Sequence, residues 1–158
     1  MLRLQPAERY LRLKDVADDA IARAADPAAD HAAEAIIVAG LRAAHPEIPV
    51  IAEEEVAGGR VTEASPCFWL VDPLDGTTNF AHGVPIFCAS LALEIDGEAE
   101  LGAVYDPNRR ELFTAERGVG AWLNGQPLKT TATSRVIESL LVTGFPYNVH
   151  EDPERALK

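Results

Sequence analysis

The hydrophobic period of this chain changes once, at Pro46, and that change limits the folds open to it. Before Pro46, Ala33, Ile37, Leu41 and Ala44 recur at helical spacing. After it, apolar residues come in short runs of strand length broken by tight turns. Helices first and then strands joined by short turns imply an α+β fold, with two helices packed on a largely antiparallel sheet. Asp26-Pro27 reads as a cap followed by a first-turn proline, opening the helix that Pro46 stops. A weaker amphipathic helix is expected over 7–25, where Leu11, Val16 and Ile21 lie loosely on one side. Strands are expected over 49–52, 67–71, 86–95, 99–105, 111–115 and 139–143. Asp96-Gly97, Asp106-Pro107-Asn108 and Asn124-Gly125 supply turns between them, and Gly118-Val119-Gly120 shapes another. A length of 158 residues suits a single domain spanning 1–158.

The net charge of −11 argues against a nucleic-acid surface, because phosphate backbones attract Lys and Arg patches. It leaves room for a small phosphorylated substrate, since bound cations reverse a local field. Cys67 and Cys88 sit in apolar runs without CxxC spacing and read as free thiols of a reducing compartment. The opening Met1-Leu2-Arg3-Leu4-Gln5-Pro6 turns polar too soon for a signal peptide, and no run of about eighteen apolar residues occurs. A soluble cytoplasmic protein, without membrane association, is the expectation.

The chemistry concentrates in Asp72-Pro73-Leu74-Asp75-Gly76-Thr77-Thr78-Asn79-Phe80. An apolar strand runs into two carboxylates three positions apart, then a glycine, then hydroxyls. Pro73 stiffens the exit from the strand. Asp75-Gly76-Thr77 looks like the start of a short helix, whose first amides are free to hold an anion. One stretch thus offers hard oxygen ligands for a divalent cation beside amides for phosphate. Taken alone, the same residues also describe a plain acidic turn, and Glu53-Glu54-Glu55 describes a solvated charge run. Other metal motifs fail on spacing. Counted from Gly76, the EF-hand ligand positions fall on Val71, Pro73 and Asp75, with His82 in place of the glutamate. The four histidines, His31, His45, His82 and His150, lack zinc spacing and read as surface or locally bonded residues.

The run Trp69-Leu70-Val71-Asp72-Pro73-Leu74-Asp75-Gly76-Thr77-Thr78-Asn79-Phe80 resembles the signature of the inositol monophosphatase family. The likeness continues through Ala81-His82-Gly83-Val84-Pro85, Leu101 to Pro107, Gly118 to Ala121, and Leu140 to Tyr147, covering roughly 30–150. It implies the N-terminal half of that family's layered αβαβα fold and a magnesium-dependent phosphomonoesterase. Glu53 would bind the first metal and help hold the attacking water. Asp72 would bridge two Mg2+ ions, the Leu74 carbonyl would complete the first site, and Asp75 would serve the second. Glu54 would be an acid standing behind these ligands. Asp75, Gly76 and Thr77 would hold the substrate phosphate, and the Thr77 hydroxyl, with Asp30, would activate and orient the water. The reaction is then metal-assisted hydrolysis with metals roughly 3.5–4 Å apart.

Two features depart from the family pattern. Asp26-Pro27-Ala28-Ala29-Asp30 keeps only the end of the usual segment before the second helix, and family members continue past Lys158 into a second half with a Trp-Asp motif. The resemblance implies inositol 1-phosphate or a related sugar or polyol phosphate as substrate, and homodimers are common among family members. A 3′(2′),5′-bisphosphate nucleotidase and a catalytically incomplete metal-binding or interaction module stand as alternatives.

Overall fold

The computed structural model describes residues 29–52 and 65–142. Helix α1 (Ala29–Ala44) leads into β1 (Val50–Ala52), β2 (Cys67–Asp75), the short α2 (Thr77–Ala81) and β3 (Cys88–Ile95). Then follow β4 (Glu98–Asp106), β5 (Glu111–Glu116), β6 (Gly120–Leu123) and β7 (Gln126–Pro127). Among the described residues the strands form one seven-stranded sheet whose order in space repeats their order in sequence. β1 pairs with β2 in parallel, and every later pairing is antiparallel. The fold class is α+β, as the change of period at Pro46 implies. The chain divides into two units, 1–128 and 129–158, and the helices and sheet belong to the first.

The side-chain alternation of the strands decides which face α1 covers. Trp69 and Val71 of β2 pair with Leu93 and Leu91 of β3, all buried on one face. Ala89 completes that row, and Ile37, Val38 and Leu41 of α1 pack onto it together with Val50. Ile37 is 1% exposed and sits at the centre of this contact. Ala103, Tyr105 and Leu112 form a second buried cluster on β4 and β5. Leu70, Val104 and Phe113 lie at the intervening positions, on the opposite face, each more than a third exposed. The His45 amide donates to the Leu41 carbonyl as the last helical bond, and Pro46 has no N–H to continue it. The His45 ring then lies 5.8 Å from Trp69, tying the helix end to the sheet.

The expected turns are present. Asp96-Gly97 and Asn124-Gly125 both have positive φ at their two central positions, the conformation that matches hairpin twist. Three expectations differ from the structure or fall outside it. The strand over 67–71 continues to Asp75, through Pro73. The helix over 7–25 lies outside the described residues. The last strand, over 139–143, is not formed in its described part, 139–142; a single 3-10 turn, Val136–Glu138, precedes it. Local bonds explain this turn. The Ser139 hydroxyl donates to the Arg135 carbonyl at 3.0 Å, and the Ser139 amide donates to the Val136 carbonyl at 2.9 Å. An Arg135–Glu138 ion pair at 2.9 Å spans the same turn. An apolar run makes a strand only where a neighbouring ladder receives it.

Removing the Ile37 side chain leaves a cavity that the helix and sheet cannot both close. Ile37→Ala is expected to cost roughly 2–5 kcal/mol in urea denaturation. Leu70→Ala, on the other face of β2, is expected to cost about 1 kcal/mol or less in the same measurement.

Candidate active site

In a regular strand, residues three apart point to opposite faces, so Asp72 and Asp75 should diverge. The pairing with β3 shows why they do not. Asp72 is opposite Ser90 and Asp75 is opposite Cys88, so Pro73 and Leu74 together face the single residue Ala89. This is a β-bulge with one extra residue in β2. Ser90 and Cys88 are two apart and share a face, and the bulge therefore turns both carboxylates to that face. Proline suits the position because it has no N–H to give to the ladder. Pro73 and Leu74 are themselves buried. The Leu74 amide, taken out of the ladder, donates to Asp72 Oδ1 at 3.1 Å.

The next residues fix the other half of the site. Gly76 caps α2 with φ 94°, in the left-handed region. A Cβ there would stand 2.9 Å from the Ile86 carbonyl oxygen and 3.2 Å from Phe87 Cα. Both backbone angle and space therefore demand glycine. Thr77 Oγ1 donates to the Leu74 carbonyl at 3.0 Å, which leaves that oxygen a second lone pair. The first amides of α2 have no intrahelical acceptor. The His82 ring nitrogen Nδ1 lies 2.8 Å from the Thr78 carbonyl, a locally bonded histidine as expected.

The parallel pairing of β1 brings a further strand end to this edge. Ala52 is level with Val71, one residue before Asp72. Sequence reasoning missed both the parallel pairing and the bulge, because each depends on a partner strand rather than on local pattern. Cys88 was also missed as a neighbour of the site. Its Sγ lies 3.8 Å from Asp75 Oδ2. Burial, then the charges of Asp75 and Asp72, with a smaller contribution from Asp106, push the Cys88 thiol up to about 11.

The structure brings together Asp72, Leu74, Asp75, Gly76 and Thr77. Asp30 falls in the first turn of α1, its side chain outside the description, and Glu53 and Glu54 lie outside the described residues. Among the described residues no group of three or more His, Cys, Asp or Glu stands close enough to hold a metal. The donors at hand are two carboxylates and a carbonyl, all hard oxygens, set in a negative field. That chemistry fits a magnesium- or calcium-like cation.

Two measurements check this geometry. Gly76→Ala is expected to lower stability by about 1–3 kcal/mol, read as a reduced Tm, because alanine is strained at this φ. In metal-free buffer, alkylation of Cys88 in a Cys67→Ser background is expected to keep accelerating towards pH 11. An ordinary thiol would level off near its pKa of about 8.5.

Comparison with known proteins agrees with this arrangement. The model of the inositol monophosphatase family matches residues 5–158, a wider span than the motifs alone carry. The inositol-1-monophosphatase of Synechocystis is 45% identical over 120 residues, covering 76% of this chain and 41% of its own length. The Nus factor SuhB of Salmonella typhimurium is 43% identical over 122 residues, covering 77% of this chain and 45% of its own. The structure of inositol monophosphatase from Anabaena superposes with a TM-score of 0.82 at 35% identity, over 96% of this chain and 60% of that one. The chain therefore spans less than half the length of the curated relatives it matches. By sequence and by fold, the chain belongs to the inositol monophosphatase family.

Proposed function

We propose that this chain is the metal- and phosphate-binding half, residues 1–158, of a magnesium-dependent phosphomonoesterase acting on inositol 1-phosphate or a related sugar or polyol phosphate. The observation that carries this reading is the bulge, which aims Asp72 and Asp75 to one face beside the Leu74 carbonyl. Asp72, Asp75 and the Leu74 carbonyl would hold Mg2+, with Glu53 as the further carboxylate and Glu54 behind it. When bound, the cation lowers the pKa of water and offsets charge on the leaving oxygen. The residues themselves do the rest. The Thr77 hydroxyl, which donates to the Leu74 carbonyl, would accept a hydrogen bond from the attacking water and help activate it. Asp30 would orient that water. The Gly76 and Thr77 amides would hold the phosphate, and Asp75 would face it.

The partner in this reading is a small phosphorylated molecule rather than a nucleic acid, consistent with a net charge of −11. A cytoplasmic location belongs to this reading; among the described residues no helix is long and apolar enough to cross a membrane. A second reading rests on the name of the Salmonella relative: an interaction module with a Nus-factor role. It requires no turnover.

The discriminating measurement is phosphate release from inositol 1-phosphate by the 158-residue chain, with and without magnesium. Magnesium-dependent release that falls at least roughly a hundredfold in Asp72→Asn, Asp75→Asn and Glu53→Gln supports the phosphatase. Magnesium binding without release, unchanged at any protein concentration, sinks catalysis by this chain and favours the interaction module. Release from 3′-phosphoadenosine 5′-phosphate in preference to inositol 1-phosphate would move the substrate to the bisphosphate nucleotidase class.

A further inference from the structure

Asn79 belongs to none of the roles assigned above, yet it makes the bonds that seat α2. Its Nδ2 donates to the Ile86 carbonyl at 2.7 Å. Its backbone carbonyl accepts from the Val84 amide at 2.8 Å. Both partners lie in the loop between α2 and β3. The Ile86 carbonyl is the same oxygen that closes on Gly76. Beside it, Phe80 of α2 meets Phe87 edge to face at 5.1 Å. Helix α2 is thus tethered at two points. Thr77 ties its start to the bulge, and Asn79 ties its middle to the loop. Between these tethers and β2 lies Gly76, whose backbone resists rotation less than that of any other residue type.

We propose that Asn79 is a positioning residue of this site: its bond to the Ile86 carbonyl holds α2 so that Thr77 stays on the Leu74 carbonyl. The inference deepens the phosphatase reading and, for its kinetic part, rests on it. Asn79 acts through Thr77 and not on substrate. The carboxylates sit on the β2 side of Gly76, paired into the sheet, and do not depend on this tether for their direction.

The test is Asn79→Asp in the 158-residue chain, a change that keeps the shape and replaces the donor by an acceptor facing a carbonyl oxygen. Amide hydrogen exchange over 76–87 is expected to quicken by roughly tenfold, with β3 to β5 unchanged. In turnover of inositol 1-phosphate, kcat is expected to fall while the magnesium concentration for half-maximal activity stays as in the wild type. Unchanged exchange over 76–87 overturns the proposal. So does loss of protection spread evenly over β3 to β5, which would make Asn79 a residue of general stability. A matched loss of magnesium affinity also overturns it. A wild-type chain without turnover counts against the phosphatase reading, while the exchange comparison still decides the tether. Asn79→Ser, which shortens the donor out of reach, carries the same comparison if the aspartate variant fails to fold.

Discussion

The extra residue of β2 opposite Ala89 sets the direction of both site carboxylates, and through them the charge of the whole edge. Without it, Asp75 would project into the layer filled by Val71, Leu91 and α1, where an unpaired carboxylate costs several kcal/mol. With it, the apolar face stays apolar and the acids gather on the other side. Pro73 contributes by lacking a donor, and Asp72 contributes by accepting the amide that the bulge frees. The same few atoms therefore shape the backbone and the candidate site.

Gathering carboxylates has a cost that the surrounding structure must absorb. Like charges raise one another's energy, and at Cys88 burial and the neighbouring Asp75 and Asp72 act in the same direction on the thiol. Rigid backbone keeps these groups from separating. β2 is held in the interior of the sheet by β1 and β3, and the loop before β3 leaves no room for a side chain at Gly76.

Much of this was legible in the residues. The change of period at Pro46 marked the helix end, the Asp-Gly and Asn-Gly pairs marked hairpins, and Asp72 to Thr77 marked the candidate site. What escaped was set by partners. An apolar run meeting Asp-Pro reads as a strand that stops, and only pairing with β3 reveals that it continues through a bulge. The parallel direction of β1 cannot be read from three residues, because nothing in Val50–Ala52 specifies which neighbour it meets. Over 139–142 the expected strand is not formed: among the described residues no ladder receives it, and Arg135 and Ser139 close a local turn just before it.

The sheet's order in space repeats its order in sequence, and this has a consequence for how the fold is reached. Each strand from β2 to β7 pairs with the one just before it, so most closures are short and each can form as soon as its residues are available. Two closures are longer: the parallel pair spans Ala52 to Cys67, and the β2–β3 pair spans Asp75 to Cys88 around α2. Both longer closures involve β2, so the hairpins from β3 to β7 rest on local contacts and the strand bearing Asp72 joins them through the less local ones.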